Sequence, residues 1–150
     1  MCIAPLMFLL EKFGPVVIGG SMVGCETAEY IAAYGKQVTI FEMADEIGKD
    51  LYPSIRVNLL PNLKQHDVRL CPSAQVKSIQ NGIITYEKDG QLMQSAPFDT
   101  IFVAVGMKSE NALAEALKEK GYAPLIVGDA KTPTKFKEVL ISAVEAALSL

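Results

Sequence analysis

Residues 15–42 constrain this chain more than any other part of it. Val16, Val17 and Ile18 form a short β-branched run between Pro15 and Gly19, the composition of a buried strand in a parallel sheet. Gly19 and Gly20 then allow a turn free of Cβ crowding, and Gly24 lets a following helix lie close against the strand. Met22 to Tyr34 reads as that helix, with Val23, Thr27, Ile31 and Tyr34 at helical spacing and Gly35 at its C-terminal stop. Val38, Ile40 and Phe41 rebuild a strand that ends on Glu42, about 20 residues past the turn.

Strand, glycine turn, helix, strand and acid in that order form a dinucleotide site. Amide hydrogens at the helix start, aided by the helix dipole, face a pyrophosphate. Glu42 accepts bonds from the adenosine ribose hydroxyls and repels a 2′-phosphate, which favours NAD over NADP. The fingerprint G-x-G-x-x-G is met at Gly19 and Gly24, but its middle glycine is Ser21. A hydroxymethyl crowds the backbone there, yet its hydroxyl also donates to phosphate oxygen. A bare tight turn, or another nucleotide-type Rossmann site such as a methyltransferase, shares parts of the pattern.

A chain of 150 residues suits one substantial core. Its formal charge of −3 lacks the basic excess of a nucleic-acid binder. Cys2, Cys25 and Cys71 are scattered, without a Cys-x-x-Cys pair, so neither a disulfide framework nor a zinc site is indicated, and a reducing cytoplasm is the default expectation. Residues 1–14 read as an apolar leader, too short for a membrane span and without a signal-peptide pattern. Nucleic acid and membrane are therefore not expected partners.

Beyond Glu42, residues 43–50 read as an acidic connecting loop, able to lie over the adenine end of a nucleotide. Leu51 to His66 reads as a helix with Pro53 in its first turn and a kink or interruption at Pro61. Val68 to Leu70 reads as a third strand. Asn81-Gly82 and Asp89-Gly90 are hairpin turns that place a small antiparallel meander at about 75–97. Asp99 to Gly106 is an apolar strand returning to the parallel sheet. A short helix over Asn111 to Lys120, with Ala112, Leu113, Ala116 and Leu117 on its inner side, is capped by Gly121. A buried strand is expected at Pro124 to Ala130, then a helix from about Glu138 to Leu150. The fold expected is α/β: a Rossmann-like parallel sheet with helices on both faces and a β-meander crossover.

The ordered segments Val16 to Ala28, Thr39 to Glu42, Asp99 to Gly106 and Leu125 to Ala130 resemble the C-terminal part of flavin- and pyridine-nucleotide-dependent oxidoreductases. The resemblance is to the 2,4-dienoyl-CoA reductase, 2-enoate reductase and trimethylamine dehydrogenase group, within the disulfide-reductase-like superfamily. It implies an NAD(P)-binding Rossmann domain over residues 15–107 and, over 108–150, a helix-strand-helix segment like the end of an FAD-binding domain. By resemblance, Gly19, Gly20, Ser21 and Gly24 hold the pyrophosphate and Glu42 the ribose, with Met22, Val23 and Met43 counted among the cofactor-binding residues. Val105 and Gly106 line the nucleotide, Glu26 lies near the nicotinamide, and Asp129 contacts FAD. The group's FAD fingerprint has no counterpart in residues 1–14, so FAD is implied only with an N-terminal half or a flavin-binding partner domain or subunit. The function implied is an NAD(H)-binding module of a flavin-dependent oxidoreductase, catalytically incomplete alone. The alternative is a Rossmann fragment kept as a non-catalytic interaction scaffold, with self-association into homo-oligomers.

Three residues carry bland readings beside these. Glu26 also gains from the helix N-terminus, Asp129 also suits a simple turn, and Cys25 reads as a small buried residue in preference to a reactive thiolate. His66, the only histidine, reads as a helix end at the surface, so no serine–histidine–carboxylate or metal constellation is expected.

Overall fold

The computed structural model describes residues 14–149, so the expected apolar leader lies outside the described residues except for its last residue. The chain divides into two units, one running to Val105 and the other starting at Gly106.

The first unit is built on a four-stranded parallel sheet in the order β3-β2-β1-β7. Strand β1 spans Val16–Ile18, β2 Thr39–Phe41, β3 Arg69–Cys71 and β7 Ile101–Val103. Val17 pairs in register with Ile40 on one side and Phe102 on the other. Strand β1 is therefore central, and all three of its residues are buried, as a β-branched run bounded by Pro15 and Gly19 should be. Strand β7 is an edge of this sheet. Its apolar residues gain one neighbouring strand, and Val103 remains exposed.

Side-chain alternation along β1 and β2 separates two cores. On one face Val17 and Ile40 pack against helices α1 (Met22–Ala33) and α2 (Pro53–Gln65), through Cys25, Ala28, Ala32, Leu59 and Leu63. On the other, Val16, Ile18 and Phe41 pack against Ile84 and Phe98. Ile84 belongs to a three-stranded antiparallel meander, β4 (Gln75–Gln80), β5 (Ile83–Lys88) and β6 (Gln91–Gln94). Phe41 makes tilted and edge contacts with Tyr86 and Phe98, centroids 4.8 and 6.2 Å apart. The α/β class, the parallel sheet and the meander stand as expected. The cover of the second face differs in detail: within this unit it is the meander, not a helix, because the meander's own apolar face fills that layer.

Local sequence explains most element ends. Helix α1 stops at Gly35, whose φ of +75° is accessible to glycine at little cost. Both hairpin dipeptides turn with positive φ at each central residue, Asn81-Gly82 and Asp89-Gly90, the geometry that matches strand twist.

Two local expectations are corrected. The buried stripe of α1 is Gly24, Cys25, Ala28 and Ala32, whereas Val23 and Tyr34 are exposed. The helix lies too close to the sheet for large side chains between them. Helix α2 also continues through Pro61, where Leu59 and Leu63 on its buried side anchor the turns around it.

The second unit holds α3 (Ala112–Glu119), a 3₁₀ turn at Gly128–Ala130 and α4 (Phe136–Leu148). The expected buried strand over Pro124 to Ala130 is not formed. This unit offers no strand for it to pair with among the described residues, and Leu125 and Val127 are exposed. No described residue of this unit is fully buried, including the apolar positions of both helices. Among the described residues no helix is long and apolar enough to cross a membrane.

Candidate functional site

The glycine bend after β1 is shaped by backbone crowding. Gly19 has φ +104°, and a Cβ there would stand 2.3 Å from the carbonyl oxygen of Ala104, just past the end of the neighbouring strand β7. A Cβ on Gly24 would stand 1.8 Å from the Gly19 carbonyl oxygen. Both positions therefore accept only glycine, and the start of α1 is pressed against the end of β1.

Ser21, by contrast, is the N-cap of α1 with φ −78° and ψ −171°, an extended backbone that any residue adopts. Its carbonyl accepts from the Cys25 amide at 2.9 Å, and its side chain makes no capping hydrogen bond. The hydroxyl in place of the fingerprint's middle glycine thus strains nothing and is not used to cap the helix.

Glu42, at the end of β2, reaches across to this bend. Its Oε2 accepts from the Gly20 amide at 2.5 Å and its Oε1 from the Ala44 amide at 2.7 Å. Gly20, Ser21, Glu42, Ala44, Glu46, Lys49 and Asp50 line an open cleft of about 310 Å³. The loop after Glu42, which reads in sequence as an acidic connection able to lie over the adenine end of a nucleotide, forms one wall of the cleft. Its Gly48 amide donates to the Gly20 carbonyl at 2.7 Å.

The Cys25 thiol lies under the bend, fully buried, and donates to the same Gly20 carbonyl at 3.2 Å. Burial pushes this thiol up to about 12, with the Asp50, Glu42 and Glu26 carboxylates adding in the same direction. It is held as a neutral thiol, which fits the small buried residue read from the sequence.

The fold brings Gly19, Gly20, Ser21, Gly24 and Glu42 around one bend. Met22 and Val23 sit in the first turn of α1 with exposed side chains, so their amides, not their side chains, face the helix start. Glu26 is exposed on the next turn, and Met43 is exposed beside Glu42. Val105 follows β7, and its amide nitrogen lies 3.3 Å from the position of a Cβ on Gly19. Gly106 (φ +87°) and Asp129, exposed in the 3₁₀ turn, belong to the second unit. Sequence reasoning passed over Glu46, Gly48 and Arg56. The lone glycine in an acidic loop was the available signal for Gly48.

The residues present fit a dinucleotide. The bend has two positions where a side chain would collide, a helix start with unused amides, and a carboxylate held at the cleft by main-chain donors.

Comparison with known proteins places the chain among oxidoreductases. The chain is similar to a metal reductase of Desulforamulus reducens, 30% identical over 163 residues covering 89% of this chain and 24% of that protein. It is similar to a bilirubin reductase of Mediterraneibacter gnavus, 36% identical over 115 residues, 76% of this chain and 18% of that protein. An NADH oxidase of Thermoanaerobacter brockii is 31% identical over 134 residues, 88% of this chain and 20% of that protein. The chain thus spans only about a fifth to a quarter of the length of these relatives. In fold it resembles a 2-naphthoyl-CoA reductase, with TM-score 0.72 and 23% identity over 97% of this chain and 22% of that one. A histamine dehydrogenase from Rhizobium sp. 4-9 aligns with TM-score 0.74 at 16% identity over 97% of this chain and 24% of that one. Residues 8–140 match the pyridine nucleotide-disulphide oxidoreductase family, and the chain belongs to it.

Proposed function

We propose that this chain is the NAD(H)-binding module of a flavin-dependent oxidoreductase, presenting the nicotinamide for hydride transfer to or from a flavin held elsewhere. The observation that carries the reading is Glu42, whose carboxylate is fixed at the cleft by the Gly20 and Ala44 amides. Each oxygen accepts one backbone bond and keeps a lone pair for a ribose hydroxyl. Membership of an oxidoreductase family supports it, as do relatives named reductases and NADH oxidases.

In this reading the amides from Gly19 to Gly24 and the Ser21 hydroxyl bind the pyrophosphate. Glu42 and the Met43 backbone orient the adenosine ribose, and a 2′-phosphate would meet the Glu42 charge. Glu26 serves the nicotinamide, Val105 and Gly106 line the nucleotide, and Asp129 serves FAD supplied by a further domain or subunit. When bound, the nicotinamide supplies or accepts the hydride. The chain's own residues bind it, orient it and discriminate its ribose.

Titration calorimetry of the full chain with NADH, NAD and NADPH tests this. NADH and NAD are expected to bind and NADPH to bind at least about tenfold more weakly, a difference of about 1.4 kcal/mol. No heat of binding with NADH would overturn the reading.

A second reading, an interaction scaffold, is favoured by the apolar side chains left exposed in the second unit, among them Leu113, Phe136, Val144 and Leu148. It requires self-association that is indifferent to nucleotide. Light scattering with and without NADH separates the two readings.

A further inference from the structure

Gly20 is held through both of its flanking peptide groups. Its amide donates to Glu42, and its carbonyl accepts from Gly48 and Cys25. Gly48 is itself held: its carbonyl accepts from Arg56 Nη1 at 2.6 Å. The other arm of the same guanidinium, Nη2, pairs with the Glu46 carboxylate. Gly48 has φ +67°, and its carbonyl also accepts from the Leu51 amide at 3.1 Å, so it sits in a backbone turn that presents its amide to Gly20.

Arg56 does not line the cleft, whereas Gly20 and Glu46 do. Its side chain is 29% exposed, projecting from the first turns of α2 under the loop. The fork geometry of a guanidinium is what allows one side chain to hold a carbonyl and a carboxylate together. The charge matters too. Three carboxylates, Glu42, Glu46 and Asp50, line the cleft against one lysine, Lys49, which pairs with Asp45 at 2.8 Å. Pairing Glu46 with Arg56 lowers the negative charge that an anionic pyrophosphate meets at this wall.

We infer that Arg56 is a positioning residue for the pyrophosphate bend: through Gly48 it fixes the Gly20 carbonyl, and through Glu46 it offsets a negative charge on the cleft wall. The ligand part of this inference rests on the NAD(H) reading above. The mechanical part does not.

The test compares the parent chain with Arg56→Met and Arg56→Lys, first by hydrogen exchange without coenzyme and then by NADH titration. In Arg56→Met, amides of 19–25 and 43–51 are expected to exchange about tenfold faster, with those of 75–94 unchanged. Arg56→Lys keeps the charge but lacks the fork, so it should recover only part of the protection. NADH binding should weaken about tenfold in Arg56→Met. Adding Glu46→Gln to that variant should restore part of the affinity without restoring exchange protection. Unchanged exchange over 19–25 in Arg56→Met would overturn the inference, as would equal acceleration of 19–25 and 75–94, which marks general destabilisation. If the parent chain binds no NADH, the NAD(H) reading falls, and the exchange comparison alone still decides whether Arg56 holds the bend.

Discussion

The Gly24 Cα faces the Gly19 carbonyl oxygen so closely that an added methyl would sit 1.8 Å from it. Gly19, just past the end of β1, and Gly24, in the first turn of α1, are five positions apart and pressed together with no space for a side chain. Gly24→Ala must push α1 off the sheet. We expect a loss on the order of 3 kcal/mol by urea denaturation and loss of NADH binding by calorimetry. A variant with parental stability and affinity would refute the close approach.

Glu42 uses both carboxylate oxygens as acceptors, toward Gly20 and Ala44. The isosteric Glu42→Gln places an NH₂ against one of two N–H donors, so it cannot replace the acid. A stability loss of about 1–2 kcal/mol is expected from the unsatisfied amide, together with weaker NADH binding. Glu42→Arg should abolish NADH binding. Denaturation and titration of the same preparations check both effects.

The Cys25 thiol supplies a pH signature. Its folded value is pushed up to about 12 by burial, against 9.0 for the unperturbed thiol. Between these values the unfolded chain releases a proton that the folded chain keeps. The folded state is therefore favoured fully below about pH 9 and progressively less as pH rises toward 12, by at most about 1.4 kcal/mol per pH unit. Cys71 is also raised by burial and acts in the same direction. The difference between the parent and Cys25→Ala isolates Cys25: the variant should lose stability less steeply from pH 9 to 10.5. Parallel slopes in urea midpoints would contradict it.

Ile84 is fully buried where the meander meets the second face of the parallel sheet. Ile84→Ala should cost about 3 kcal/mol through lost burial and a residual cavity. Circular dichroism during denaturation should then show one cooperative loss of meander and parallel sheet. A change under 1 kcal/mol, well below that estimate, would mean that the meander is not part of the first unit's core.

Much of the first unit was legible in the chain itself. β-branched runs, the Gly19 to Gly24 turn and the Asn81-Gly82 and Asp89-Gly90 dipeptides act over a few residues, through φ preferences and period-two burial, so they can be read locally. The stripe of α1 was not legible in the same way. Val23 and Tyr34 keep helical spacing as well as Ala28 and Ala32 do, and only the close approach of α1 to β1 decides that the small residues face inward.

The same division runs through the cleft and the second unit. The order of strand, turn, helix and acid, and with it the identity of Gly19, Gly24 and Glu42, is a property of the sequence, because each residue answers to its own neighbours. Tertiary structure alone decided that Gly48 and Arg56 support Gly20, since those bonds cross 28 and 8 positions of chain and depend on how loop 43–50 folds over the bend. It also decided that Pro124 to Val127 forms no strand. An apolar run has strand propensity by itself, but a strand exists only where another strand supplies the hydrogen bonds.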